Sequence, residues 1–203
     1  MSSTSEYGSE GLDLLRSRGP LVQLAIGNDP AKVRLVHDVT TYVYDEGKPD
    51  GVAYHLVTTQ TDALMMAGPS AEPVDVEVTK NGYDPIDGAD NLGPTSGWKI
   101  GSPTKVTFDA GGANLSALVR YDAQGKAVES RGIGASGSDA RTNVAVYYTA
   151  GPNTQKAECG NQPAHAGLPC LSYAAGTVSG HDPARMAGEL PVKHVTGYNR
   201  YGS

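Results

Sequence analysis

Hydrophobic and polar residues alternate with a period of two along most of the chain, in short runs broken by glycine, proline, aspartate and asparagine. The plainest run is Val74 to Lys80 (VDVEVTK), where Val74, Val76 and Val78 fall on one face of an extended strand and Asp75, Glu77 and Thr79 on the other. Val33 and Leu35, followed by Val39, Thr41 and Val43, predict a pair of strands, and Tyr54 to Thr61 (YHLVTTQT) predicts another. Further strands are expected at Lys105 to Asp109, Leu115 to Tyr121, Ala127 to Arg131, Asn143 to Tyr148 and Lys193 to Tyr198, about ten by the same pattern. The one helical pattern is Leu12 to Arg16, with Leu12, Leu14 and Leu15, and it is too short to be stable alone. The expectation is an all-β chain of repeated antiparallel hairpins.

The breaks between runs have specific backbone reasons. Gly27-Asn28-Asp29-Pro30, Glu46-Gly47-Lys48-Pro49, Asp84-Pro85-Ile86-Asp87-Gly88, Gly111-Gly112 and Gln124-Gly125 combine glycine for positive φ, proline for a preset φ, and Asn or Asp side chains that bond the backbone just ahead. From Cys159 to about Leu190 the alternation fades into Gly, Pro and Ala, which reads as an irregular insertion held by the cysteines.

One pattern recurs at long range. Tyr precedes an acidic or amide residue at Tyr44-Asp45, Tyr83-Asp84, Tyr121-Asp122 and Tyr198-Asn199, each time closing a strand-like run and opening a turn. The tyrosines are 39, 38 and 77 residues apart, the last interval about twice the others. A fixed period of this size is the mark of a repeat architecture, and the skipped copy is expected near Cys159.

These residues resemble the RHS/YD-repeat family of bacterial polymorphic toxins and cell-wall-associated proteins. The best unit is Val119-Arg120-Tyr121-Asp122-Ala123-Gln124-Gly125-Lys126-Ala127-Val128-Glu129-Ser130-Arg131, similar to the family's strand, Tyr-Asp, two variable residues, Gly-Arg, strand, with Lys126 in place of Arg. Thr40 to Gly47 is similar to the same entry strand and turn before departing at Pro49 and Asp50. The Cys159 to Cys170 segment after Val146-Tyr147-Tyr148-Thr149 also looks like a recurring insertion of long bacterial members. The resemblance implies a β-sheet spiralling into a hollow shell that encloses or presents a C-terminal toxin or effector domain, with no catalytic residues in its ordinary repeats. In such a unit Tyr121 would stack on its counterpart in the next hairpin, Asp122 would cap the turn and Gly125 would take a backbone angle that other residues resist.

The domain reading is then an irregular or short-helical segment over 1–30, the repeat region over 31–158, the cysteine-bounded insertion over 159–190, and the start of a further, truncated repeat over 191–203. A chain ending within a hairpin would expose sheet edges, so marginal stability or self-association is expected.

Composition narrows the class. Twenty-six glycines and 13 prolines, close to a fifth of the 203 residues, leave little uninterrupted sequence for helices. Eleven of the aromatic residues are Tyr, with Trp98 and Phe108 besides, as suits half-buried strand faces whose ring tips reach a polar partner. The net charge of -6 is spread along the chain without a basic cluster, which excludes a nucleic-acid partner. No apolar run reaches the roughly 18 residues of a membrane span, and the first residues lack a signal peptide's charged and apolar regions. Either the chain is cytosolic or it is an internal part of a longer exported chain; the two cysteines favour the second, so the expected location is the cell surface or the secreted space. Cys159 and Cys170 close a short Pro- and Gly-containing loop, as suits a disulfide in an oxidising compartment, with free thiols and a metal site as the alternatives.

Catalytic constellations are absent from the sequence. Asp84-Pro85-Ile86-Asp87-Gly88 has the wrong spacing for the Asp-Pro-x-Gly-Leu self-cleavage motif of some family members, and Ala89 follows. Asp84, Asp87, Asp90 and Asn91 lack the alternate spacing and distal Glu of a calcium loop. Cys159, His165, Cys170 and His181 match no compact zinc pattern, and His37, His55 and His194 are scattered. There is no Gly-x-Ser-x-Gly, no His-Glu-x-x-His and no phosphate-cradling loop; GIGASGS at Gly132 to Ser138 reads as a connection. No enzyme, metal or cofactor is expected. The competing reading is a surface adhesion or carbohydrate-binding module, whose exposed Tyr and Trp98 would stack on sugar rings.

Overall fold

The computed structural model describes residues 2–25, 33–68, 72–139, 141–175 and 193–199. The protein is all-β, and it divides into two compact units, one of residues 1–83 with 101–115 and the other of 84–100 with 116–203. Strand pairs within each unit are antiparallel, as expected of runs joined by short turns.

The first unit holds β1 (Thr4–Tyr7), β2 (Leu14–Arg18), β3 (Val22–Ala25), β4 (Val33–Tyr44), β5 (Val57–Met66), β6 (Pro73–Gly82) and β7 (Lys105–Phe108). They lie in the order β1, β2, β4, β5, β6, β7. The edge of β4 is shared, with β2 against Val39 to Thr41 and β3 against Val33 to Val36. The expected pair of strands over Val33 to Val43 is thus one strand of 12 residues. Its odd-numbered positions continue in phase from Val33 to Val43, with no turn residue to break them, and β5 pairs along it from Val36 to Tyr44.

The helical expectation at Leu12 to Arg16 is corrected to strand. Leu14–Arg18 pairs with β1 on one side and β4 on the other, because two neighbouring strands satisfy its backbone where five residues cannot nucleate a helix. Residues 1–30, expected to be irregular or helical, accordingly carry three strands in their described part. β5 starts at Val57, three residues later than Tyr54, because the N–H groups of Tyr54, His55 and Leu56 all donate to the Asp45 carboxylate.

The second unit holds β8 (Leu115–Tyr121), β9 (Ala127–Arg131), β10 (Thr142–Tyr147), β11 (Pro169–Ala175) and β12 (Lys193–Val195), with neighbours in chain order, and a single helical turn, α1 (Gly97–Ile100). The cysteine segment is less irregular than its composition implied. Two 3-10 turns, Ala157–Cys159 and Pro163–His165, lead into β11, which pairs with β10 over six positions; residues 176–192 lie outside the described part. The disulfide holds β11 at that place although Pro169 opens it and Ala174 and Ala175 close it.

Burial is sparse. Among the described residues the buried apolar set is Val36, Val39, Tyr83, Trp98, Val128, Val146, Cys159, Cys170, Leu171 and Ala175, while seventeen large hydrophobics are exposed, Leu21, Val22, Leu24, Val33 and Leu35 among them. Val74 and Val76 lie on one face of β6 as the alternation requires, yet both are exposed.

Candidate functional site

Each tyrosine of the repeat stands at or just beyond the end of a strand. Tyr44 ends β4, Tyr121 ends β8, Tyr83 follows β6 by one residue and Tyr198 follows β12 by three. Two further tyrosines share this position. Tyr7 ends β1, 37 residues before Tyr44, and Tyr147 ends β10. Tyr147 lies 26 residues after Tyr121, off the 38- to 39-residue spacing, and the position near Cys159 falls inside the loop that follows it. The sequence reading passed over both because Gly8 and Tyr148 follow them in place of Asp or Asn; a tyrosine at the end of an alternating run was the available signal.

Three of these hydroxyls reach the same kind of acceptor. Tyr44 Oη donates to the carbonyl of Leu14 at 3.0 Å, Tyr83 Oη to that of Val57 at 2.8 Å, and Tyr147 Oη to that of Ala127 at 3.0 Å. Leu14, Val57 and Ala127 are the first residues of β2, β5 and β9, the strands that lie beside β4, β6 and β10. The phenol therefore caps the start of the neighbouring strand, where a carbonyl lacks a ladder partner. Burial first, and then a nearby aspartate, raises each hydroxyl's pKa: Asp13 beside Tyr44, Asp45 beside Tyr83 and Asp122 beside Tyr147. All three phenols remain protonated donors at neutral pH.

The residue after the tyrosine organises the loop ahead. Asp45 takes a left-handed backbone angle, φ 58°, and its carboxylate accepts the N–H groups of Tyr54 (2.7 Å), His55 (3.2 Å) and Leu56 (3.0 Å), gathering the ten residues between. Burial pushes its carboxyl pKa up, but those three bonds and Lys48 outweigh it and hold the carboxyl below its ordinary value. Asp84 accepts the indole N–H of Trp98, 14 positions along the chain, at 2.9 Å. Asp122 accepts the N–H groups of Gln124 and Lys126, each at 2.9 Å, inside a tight turn. Gly125 completes that turn at φ 76°, where a side chain would be strained. Hydroxyl-to-carbonyl bonds tie the strand ends at Tyr44, Tyr83 and Tyr147 to the strands beside them, and Lys126 Nζ covers the Tyr147 ring at 5.1 Å.

After Tyr147 the covalent route replaces the carboxylate. Cys159 and Cys170 form a disulfide, buried with Val146 and Leu171, and Tyr148 and Tyr173 pack against it. The loop pairs with itself through Thr149 N–H to the Cys159 carbonyl and Gln162 N–H to the Thr149 carbonyl. Gly160 permits this: a Cβ there would lie 2.6 Å from the Asn153 nitrogen. Tyr198 meets the rings of Tyr148 and His165 at 6.2 and 5.8 Å, and Tyr148 Oη donates to the Thr196 carbonyl, so Tyr198 packs onto the loop. Asn199 lies beside it on an exposed stretch after β12.

The aspartates weighed for calcium or self-cleavage act within turns: Asp87 accepts the N–H of Ala89, and Asp90 that of Leu92. Among the described residues no three His, Cys, Asp or Glu side chains gather as metal ligands, and two of the four imagined zinc ligands are joined as the disulfide. Trp98, a candidate for sugar stacking, is 4% exposed and holds Asp84. No helix of the described residues is long and apolar enough to cross a membrane. No family model, curated protein or solved structure matches this chain.

Proposed function

We propose that this chain is a non-catalytic wall segment of an RHS/YD-repeat shell, which encloses or presents a toxin or effector domain carried elsewhere in an exported parent chain. The observation that carries this reading is the repeated linkage in which a strand-ending tyrosine caps the next strand over and the following residue organises the outgoing loop. A module that joins each unit to its neighbour, and tolerates loops of different length between them, is what a continuous repeat wall requires. The many apolar side chains left exposed on the strands fit a wall that meets further protein, and the disulfide fits an oxidising destination.

The test is electron microscopy and limited proteolysis of the full parent chain. A hollow particle whose C-terminal domain resists protease until the wall is cut supports the proposal. A separate, protease-sensitive domain, or turnover abolished by a single Asp or His substitution in this chain, contradicts it.

One observation favours the adhesion reading as a second function: an open cavity of about 260 Å³ beside Tyr147 and Tyr148, which Asp122, Asn153 and Gln155 also line. Saturable binding of a simple saccharide, lost in Tyr147→Ala, would support it; an array of glycans giving no binding would remove it.

A further inference from the structure

The first unit presents faces of opposite charge. Strand register puts Asp38, Asp62, Asp75 and Glu77 on one side of β4, β5 and β6, around a cavity of about 300 Å³. Arg16, Arg18 and His37 share the other side, since Arg18 pairs with Val39 and Arg16 with Thr41, while His37 lies two residues before Val39. Arg18 and His37, with Thr4, Gly19 and Leu21, line a cavity of about 510 Å³. A second, of about 280 Å³, shares Thr4 and Arg18 with the first and adds Arg16 and Glu6.

Two polar atoms there lack any hydrogen-bond partner among the described residues. Arg16 Nε and His37 Nε2 are both buried, and His37 is only 4% exposed. Buried nitrogens are ordinarily bonded, because one left unpaired has given up its water without a replacement partner. Glu6 is the cross-strand partner of Arg16, yet it is exposed and leaves Nε without an acceptor. Arg16 lines one cavity and His37 the other, with Arg18 common to both, so a strand-face row of two guanidinium groups and an imidazole borders adjoining cavities with two nitrogens unpartnered among the described residues.

We propose that Arg16, Arg18 and His37 form a binding site for an oxyanion, a carboxylate, sulfate or phosphate group, on the basic face of the first unit. Arg18, exposed at the mouth, makes the first contact, and Arg16 Nε and His37 Nε2 donate from below. Burial first, then Arg18 and Arg16, lowers the His37 pKa, opposed only by Asp38. An anion seated among them would reverse that balance and draw a proton onto the ring.

The intact chain is titrated with sodium sulfate, phosphate or acetate at constant ionic strength against chloride, with calorimetry and the histidine ring NMR signals as readouts. The expected result is saturable binding with a shift of the His37 signals toward the protonated form, and at least tenfold weaker binding in Arg18→Gln. Because Arg18 is exposed, that variant keeps the fold; His37→Gln supplies a second, with binding weakened to a similar degree. Tetrahedral and planar ions compared side by side tell a sulfate- or phosphate-bearing ligand from a carboxylate. A linear response for all three ions, or an equal response of His37, His55 and His165, or binding unchanged in Arg18→Gln, overturns the site.

Discussion

The loops after Tyr44 and after Tyr147 leave equivalent strand ends and are closed by different chemistry. In the first, a single carboxylate with a left-handed backbone collects three N–H groups, and everything it does depends on that carboxylate staying charged. In the second the aspartate position holds Tyr148, and a disulfide buried among Val146 and Leu171 takes over. The tyrosine is common to both. The unit thus separates into a constant part, the hydroxyl that ties back to the neighbouring strand, and a variable part that matches the closure to the loop. Asp122 shows the lower limit, a turn short enough for two hydrogen bonds and one glycine to close it.

The largest effect is expected at the covalent loop. Cys159→Ser with Cys170→Ser should cost about 3 kcal/mol by the loop-closure estimate for a ring of this size. Denaturant unfolding monitored through Tyr148 and Tyr198 contacts would measure it, and a loss equal at the Asp45 loop would break the comparison. Asp45→Ala should cost about 2–3 kcal/mol, since three backbone donors lose a charged acceptor in a half-buried setting.

That second prediction has a pH arm. The Asp45 carboxyl is held below its ordinary value in the folded protein, so its stabilisation is whole above the ordinary aspartate range and is lost as pH falls through that range and past the folded value. Asp45→Asn should flatten this part of the stability curve, whereas the disulfide pair should leave it unchanged. Smaller effects are expected from the constant part. Tyr83→Phe should cost about 1 kcal/mol, because the Val57 carbonyl keeps the Asn81 side-chain donor, and Tyr147→Phe about 0.5 kcal/mol, at a more open site where the ring under Lys126 survives. Equal losses at the two tyrosines would show that burial does not grade the tie.

The alternation of side chains made the strands legible, because a period of two survives any arrangement of the sheet. The edges of elements were less so, for reasons that specific residues explain. Tyr54, His55 and Leu56 read as strand but spend their N–H groups on Asp45, a contact nine to eleven residues away that no local pattern records. Leu12 to Arg16 read as helix because its leucines cluster, and the strand Leu14–Arg18 is set by β1 and β4 on either side. The Tyr-Asp dipeptide marked several strand ends, but Tyr7 and Tyr147 also end strands without an aspartate after them, so the dipeptide alone misses such ends. Arg16 and His37, 21 residues apart in sequence, come onto one face only through the β2–β4 register, and no sequence motif announces them.

The central claim is that, where an aspartate follows the strand-ending tyrosine, its carboxylate holds the outgoing loop. Amide hydrogen exchange in Asp45→Ala tests it most directly. The account predicts that protection at Tyr54, His55 and Leu56 falls at least tenfold while Gln124 and Lys126, which Asp122 holds, are unchanged. Protection retained at those three amides, or lost evenly along the chain, would contradict it.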